Sequence, residues 1–578
     1  MTNTQHGFNG GPRSLATMLK EKYHSRTLLL VLTILFGASL SLAFIIGDIG
    51  FQGDDWWEFS WPYWFTFPQS TLECIKLYSR PIEGLYYVLL YESFGFNRFF
   101  YTLTALLLLA GSCAFLVRCL QNAFPCRISM SLVSGLFAFF LAPVSNLIYM
   151  WHTDNSRLAN LFFWCSVYGF QKWVMASCSW TRLTIPAFFY LLASFTYENS
   201  TLMIFGVPLL LWPVYLRGAR TLSTSKFVFR VFGAIIGLFA MFVIARFLVF
   251  GGGAVKQSSL IPPISLLLTY AMDLAVYLAY PFTDVTLDPV SWLWGVPIAI
   301  VTAVALFHLY KIETGYFAAV EGVNQTSIYV AFTGLAFLVL GLAPYLLAGY
   351  TSCVGFTSQS RIYSSASYGV AILLGLAVSS GSNPKVRFAL RSLGVVYLCL
   401  MAVFLSSLRN EWQEAHRQRN RLCASLLDQV PGVAPNTTFL FLNLQSYITK
   451  NGVDRAVVFQ GVEGLNEWIK MLYGKRNINA YFIYPNGAVD SNDQEYRQAA
   501  ASKSGVVARG SIANGLIPLD SLLLFKRESD QLRLINELSQ DGNLAAIEWH
   551  GISKIASNKE LILLRSESAP PKRSLCGQ

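Results

Sequence analysis

The chain has 578 residues, 54% of them hydrophobic and only 13% charged, with a formal net charge of +11 and a mean hydropathy of +0.45. Soluble domains carry about a quarter charged residues, so this balance excludes an ordinary soluble enzyme and assigns most of the chain to lipid. The ten cysteines are scattered, several inside apolar runs (Cys113, Cys165, Cys399), without the spacing of a zinc site or a paired disulfide framework.

A spanning helix needs about 20 apolar residues. Eleven such runs are centred near Phe36, Leu109, Phe139, Phe163, Phe189, Leu209, Phe239, Ala299, Leu338, Leu373 and Met401. The first follows a polar tail, residues 1–26, and is long and without a small-residue cleavage pattern, so it is expected to stay as a span rather than be removed as a signal peptide. Residues 27–408 form the expected all-α polytopic membrane domain. Its first outer loop, 48–98, is far longer than a connector requires.

Basic residues gather at Lys20, Lys22 and Arg26, at Arg118 and Arg127, at Lys172 and Arg182, between Arg217 and Arg230, and between Lys385 and Arg391. By the positive-inside rule these loops face the cytoplasm. The alternate loops carry Asp54, Asp55, Glu58, Asp154, Glu198, Asp284 and Asp288. The charge is therefore a topology signal and not a nucleic-acid footprint. The apolar stretch 261–280 contains Pro262, Pro263 and Asp273; counting it as a span would reverse the basic loop at Lys385, so it is expected to lie on the outer surface or to be half-inserted.

Four outer segments carry chemistry. Phe51-Gln52-Gly53-Asp54-Asp55-Trp56-Trp57 follows the first span, and two adjacent carboxylates are suited to raise one pKa for base catalysis or to hold a divalent cation. A solvated loop with interfacial Trp residues is the plainer alternative. In the same loop Pro81 marks a first helical position, which puts Arg80 at a helix N-terminus, where anions are favoured; a salt bridge to Glu83 is its structural alternative. The second outer loop runs from Ala142-Pro143-Val144 to Asp154 and Arg157, which are spaced to pair at a helix start, while Asp154 is also placed to face the Asp-Asp loop. Tyr197-Glu198 sets one carboxylate between two apolar helices, a costly position unless it is paired or lines a cavity; helix capping is the alternative. Finally Arg361-Ile362-Tyr363 opens a late span from the outer side, and a guanidinium suits bidentate phosphate binding, with a lipid headgroup contact as the plainer alternative. Arg246 is a second candidate for the same anion.

In their order and placement, Asp54-Asp55, Arg80-Pro81, Ala142-Pro143-Val144 to Arg157, Tyr197-Glu198 and Arg361-Ile362-Tyr363 together resemble the glycosyltransferase C superfamily, especially its bacterial members and the protein O-mannosyltransferases. The likeness covers most of 27–408. It departs where the family has His-Pro and this chain has Ala142-Pro143, and where the family has Lys before the Glu and this chain has Tyr197. The resemblance implies a polyprenyl-phosphate-linked sugar as donor, with its phosphate near Arg361, and a glycan, lipid or protein acceptor. Asp54 would act as general base, with inversion at the anomeric carbon, and Asp55 would orient it, the acceptor or a cation. Arg80, Asp154, Glu198, Arg246 and Tyr363 would complete the substrate site at the outer face of the plasma (inner) membrane. A transporter or flippase of a lipid-linked glycan, or a non-catalytic envelope assembly protein, are the competing classes; a transporter should show midplane charges and internal repeats, and neither is found.

Residues 409–578 have the composition of a small soluble α/β domain, expected outside the cytoplasm. Glu411 to Leu427 is a charged helical stretch, and a second helix is expected at Leu465 to Tyr473. β-rich runs appear at Phe439 to Leu442, Ala456 to Phe459, Tyr481 to Tyr484, Leu522 to Phe525 and Leu561 to Leu564. No tetratricopeptide period is present in it.

Overall fold

The structure is a computed structural model and describes residues 29–562, with the longer gaps at 142–148, 251–263, 284–288, 305–322, 349–357, 490–496 and 540–546, and shorter ones elsewhere, 52–54 among them. The tail 1–26 and Ala142-Pro143-Val144 thus lie outside the described residues, as does most of the run around Ala299.

Among the described residues six helices are long and apolar enough to cross a membrane: Arg98–Ala123, Glu198–Arg217, Thr224–Val249, Ser265–Phe282, Thr326–Leu347 and Lys385–Gln429. Shorter apolar helices occupy Leu32–Phe44, Ile128–Phe140 and Ala366–Ser379, and helices Asp154–Met175 and Thr184–Thr196 stand where runs were read near Phe163 and Phe189. The protein is a helical one that bears a small sheet at its C-terminal end. Outward-facing Leu29, Phe44, Phe229, Phe247, Leu248 and Phe388 remain exposed, which a lipid solvent tolerates and water does not. Helices Val323–Leu347 and Ala366–Ser379 touch through glycine, since a Cβ on Gly341 would collide with the backbone of Ala366 and one on Gly369 with that of Leu338. Small residues at such crossings let helix backbones close up where no hydrophobic force drives them together.

The stretch expected on the outer surface or half-inserted forms a regular helix, Ile264–Thr283, which by length and composition is one of the six. Its prolines do not interrupt it: Pro262 and Pro263 precede the helix and Pro281 falls in its last turn. Asp273, which argued against a span, is buried and accepts a hydrogen bond from the Tyr363 hydroxyl at 3.0 Å.

The long first loop folds into three helices, Asp55–Trp64, Phe67–Tyr78 and Pro81–Phe94. Ser79 closes the second in a left-handed conformation, with φ 55°, and Pro81 starts the third as its sequence position demands. A nest of rings, Phe51, Phe59, Tyr101 and Trp151, packs beneath them, Phe59 stacking on Trp151 at 4.5 Å.

No break falls at Arg409, where hydropathy drops. Pro384–Gln429 is one helix of 46 residues, capped at its start by the Asn383 side chain on the Lys385 amide. The sheet beyond it has the order Gln531–Leu534, Leu522–Glu528, Thr438–Leu442, Asn479–Ile483, with the last three mutually parallel neighbours and the first antiparallel. Thr438–Leu442 is buried along its whole length, the unalternating apolar pattern of a strand covered on both faces. Helix Gly461–Tyr473 makes the crossover. The run read at 456–459 is Val453–Val457, paired with Tyr447–Lys450 in a hairpin. At the far end Leu561 closes a short 3-10 turn and Ile562 makes a single bridge to Val433; the rest of the run read at 561–564 lies outside the described residues. Cys423 is disulfide-bonded, a bridge that spacing along the sequence did not reveal, and six other described cysteines are free.

The C-terminal part is seated on the segment 55–65. Arg419 lies over the Trp56 ring at 5.4 Å, Arg476 over Phe65 at 4.5 Å, and the Tyr63 hydroxyl donates to the Met471 carbonyl at 3.4 Å. Arg455 bonds Glu411 at 3.2 Å and lies over the Tyr280 and Phe404 rings.

Candidate functional site

Asp55 opens helix Asp55–Trp64 and is completely buried. It accepts the backbone N–H of His152 at 2.9 Å, its Oδ1 is 3.1 Å from His152 Nδ1, and its other oxygen is 3.5 Å from the Arg98 guanidinium. Arg98 is the first residue of its helix, an end that repels cations, so a carboxylate partner there offsets two unfavourable charges at once. Asp54 lies outside the described residues.

Asp154 opens helix Asp154–Met175, is buried, pairs with Arg157 one turn on and accepts from the Tyr86 hydroxyl at 3.1 Å. The pairing read from the three-residue spacing is therefore made. Arg98 feels the charge of both Asp55 and Asp154, which brings the second loop against the Asp-Asp segment.

The third group centres on Glu198. Arg80 reaches it twice, Nε at 3.2 Å and Nη2 at 2.8 Å, and Arg246 binds the same carboxylate. Arg80 also lies over the Tyr197 ring at 4.5 Å and contacts Glu83 at 3.2 Å, so it makes both the expected salt bridge and a longer-range one. Glu83 in turn accepts from Asn155 Nδ2 at 2.6 Å, next to Asp154. Burial pushes the Glu83 carboxyl above its ordinary value against the pull of Arg80. Burial lowers the Arg80 guanidinium, but Glu198 and Glu83 outweigh it and hold its pKa well above the ordinary one. Glu198 makes ion pairs here, not a cap: no side-chain cap is formed on the 3-10 turn Glu198–Gly206.

Arg361 lies in the 3-10 turn Ser358–Tyr363 and is part-exposed. It acts electrostatically on Tyr345, whose hydroxyl donates to that of Tyr197 at 3.1 Å, beside Arg80. Two further bonds stitch this turn to the rest: Asn199 Nδ2 to Ser364 Oγ at 3.2 Å and Ser365 Oγ to Asn160 Oδ1 at 2.9 Å. Tyr363, named for the substrate site, is buried and spends its hydroxyl on Asp273, with its ring against Tyr270 and Tyr277.

Sequence reasoning thus named Asp55, Arg80, Asp154, Glu198, Arg246 and Arg361, and they converge. It passed over Arg98, His152 and Asn155 as site groups. A cation at the first position of an apolar helix was the available signal for Arg98; nothing in a single sequence marks the other two. Among the described residues no three of His, Cys, Asp and Glu meet as a metal site. No protein-family model matches the chain, and no curated protein matches it.

Proposed function

We propose that this chain is a plasma-membrane glycosyltransferase of the glycosyltransferase C type, with eleven spans, its N-terminus in the cytoplasm and its α/β domain outside. It transfers a monosaccharide, with inversion, from a polyprenyl-phosphate carrier to an envelope glycan, lipid or protein acceptor. The observation that carries the reading is the convergence of Arg80, Glu83, Asp154, Glu198 and Arg246, drawn from four separate segments, beside Asp55 and Arg98. Buried charge on that scale is costly and by default marks function in a membrane protein.

In this scheme Asp54 accepts the proton of the acceptor hydroxyl as its oxygen bonds to the anomeric carbon, and the bond from that carbon to the carrier phosphate breaks. The phosphate leaves with added negative charge, which fixed guanidiniums stabilise. Arg361, part-exposed beside Tyr345 and Tyr197, is the cation assigned to it. The test is transfer by purified protein in lipid nanodiscs, with polyprenyl-phosphate sugars as donors. Asp54→Asn should slow turnover by about a hundred- to ten-thousandfold, the usual worth of a general base, while donor binding survives. Near-normal transfer by both Asp54→Asn and Asp55→Asn would sink the mechanism; loss with Asp55→Asn alone would exchange the two roles.

A further inference from the structure

At the opposite end of the helices from this charge network a cavity of about 560 Å³ opens between helices Arg98–Ala123, Asp154–Met175 and Thr184–Thr196. Its size falls within the roughly 300–1,000 Å³ typical of small-molecule sites. The walls are apolar, from Phe115, Tyr168, Ile185 and Phe189, and the mouth carries Lys172 and Arg182. Lys172 lies eighteen residues after Asp154 on one helix, about 27 Å away at 1.5 Å per residue. That is close to the thickness of a bilayer core, about 30 Å, so the two ends of this helix meet the two surfaces of the membrane.

Both mouth cations are exposed and make no ion pair among the described residues. Lys172 is held over the Tyr168 ring at 5.4 Å, facing the cavity wall. Between Glu92 and Asp273 the sequence has only two acidic residues, Asp154 and Glu198, and both are committed to the opposite end. The anion that completes this site therefore has to come from outside that stretch of chain. The surroundings say what kind: Met175, Trp180, Ile185 and Phe188 are exposed around the mouth, an apolar belt with an interfacial Trp at headgroup depth.

We propose that this cavity binds one anionic phospholipid, its acyl chain against Phe115, Tyr168 and Phe189 and its phosphate between Lys172 and Arg182. Basic pockets between spanning helices at the cytoplasmic side are where acidic headgroups are held. The site lies away from the sugar-transfer residues and does not depend on their chemistry.

Native mass spectrometry of the detergent-solubilised full chain, titrated with phosphatidylglycerol or phosphatidylcholine, tests this. One phosphatidylglycerol should be retained in preference to phosphatidylcholine. The double variant Lys172→Gln/Arg182→Gln should weaken its retention by about ten- to hundredfold, from two cations near a charged surface. A control, Lys385→Gln/Arg387→Gln, removes two cations from another basic loop and should leave retention unchanged. Equal retention of the two lipids, undiminished retention by the first variant, or equal loss in the control would each overturn the proposal, the last by reducing it to general attraction of a basic surface. Because Lys172 and Arg182 are exposed, their double variant should fold, and an unchanged melting temperature in lipid-free detergent checks that both variants do.

Discussion

Asp55 and Glu198 are both carboxylates clasped by arginine, and they differ in access. Asp55 is fully buried and its oxygens are taken by Arg98 and His152, themselves about 95% buried. Glu198 and its two guanidiniums keep about a quarter of their side-chain surface open, 27% against 24% and 25%. The first arrangement is a lock, because nothing can replace a partner without exposing a buried charge. The second is exchangeable: an incoming phosphate can take a guanidinium from Glu198 while water attends the change. A site that binds anions in turn needs the second kind, held in place by the first.

The largest expected effect separates these two directly. Asp55→Ala takes the directly bonded carboxylate away from buried Arg98 and should cost about 3–5 kcal/mol of stability. Glu198→Ala leaves guanidiniums that water reaches, so its cost should stay near 1–2 kcal/mol, between exposed and buried pairs. Thermal unfolding in detergent measures both; equal costs would erase the distinction. Next in size, Arg361→Ala should reduce donor use about ten- to hundredfold by removing a charged hydrogen bond worth roughly 1.5–3 kcal/mol. Wild-type kinetics in that variant would leave Arg361 as a lipid contact.

A pH series sharpens the picture at Glu83, which links the two groups through Asn155 and Arg80. Its folded pKa lies above the ordinary 4.5, so between the two values the folded chain holds a proton that the unfolded chain has released. The stability this contributes is full below pH 4.5 and is lost as pH rises through the folded value. Glu83→Gln should remove that downward slope, as read from melting temperatures above pH 4; an unchanged slope would show that Glu83 titrates as it does in the unfolded chain. The smallest effect is a control on the same loop. Lys76 is 69% exposed beside Glu73, and Lys76→Ala should change stability by less than about 0.5 kcal/mol.

What the sequence revealed follows from which physics is local. The helix start at Pro81, the Asp154–Arg157 pair and the β-rich runs at Phe439 and Leu522 rest on neighbours within a few residues, so they could be read. The pairing of Arg80 with Glu198 spans 118 positions, and only charge in an apolar context hinted that each needed a partner. Asp273 gave no sign of its partner for the same reason, since Tyr363 lies 90 positions away. The continuity of Pro384–Gln429 was missed because hydropathy falls sharply at Arg409 while helix propensity does not: Glu, Gln, Arg and Leu are all good helix formers.

That uninterrupted helix fixes more than distance. Its 46 residues span about 69 Å, and contacts leave it in sequence: Tyr149 stacks on Trp412, Glu411 meets Arg455, Arg419 covers Trp56, Gln418 binds Arg527, and Ser425 and Gln429 bond Leu532. Each contact holds at one rotational phase. Since each residue turns a helix by about 100°, adding or deleting a single residue near Ser407 would swing the sheet a quarter-turn or more around the axis and aim every one of these side chains at the wrong neighbour. The azimuth of the C-terminal domain, and with it the roof above the Asp55 loop, is thus encoded as a residue count.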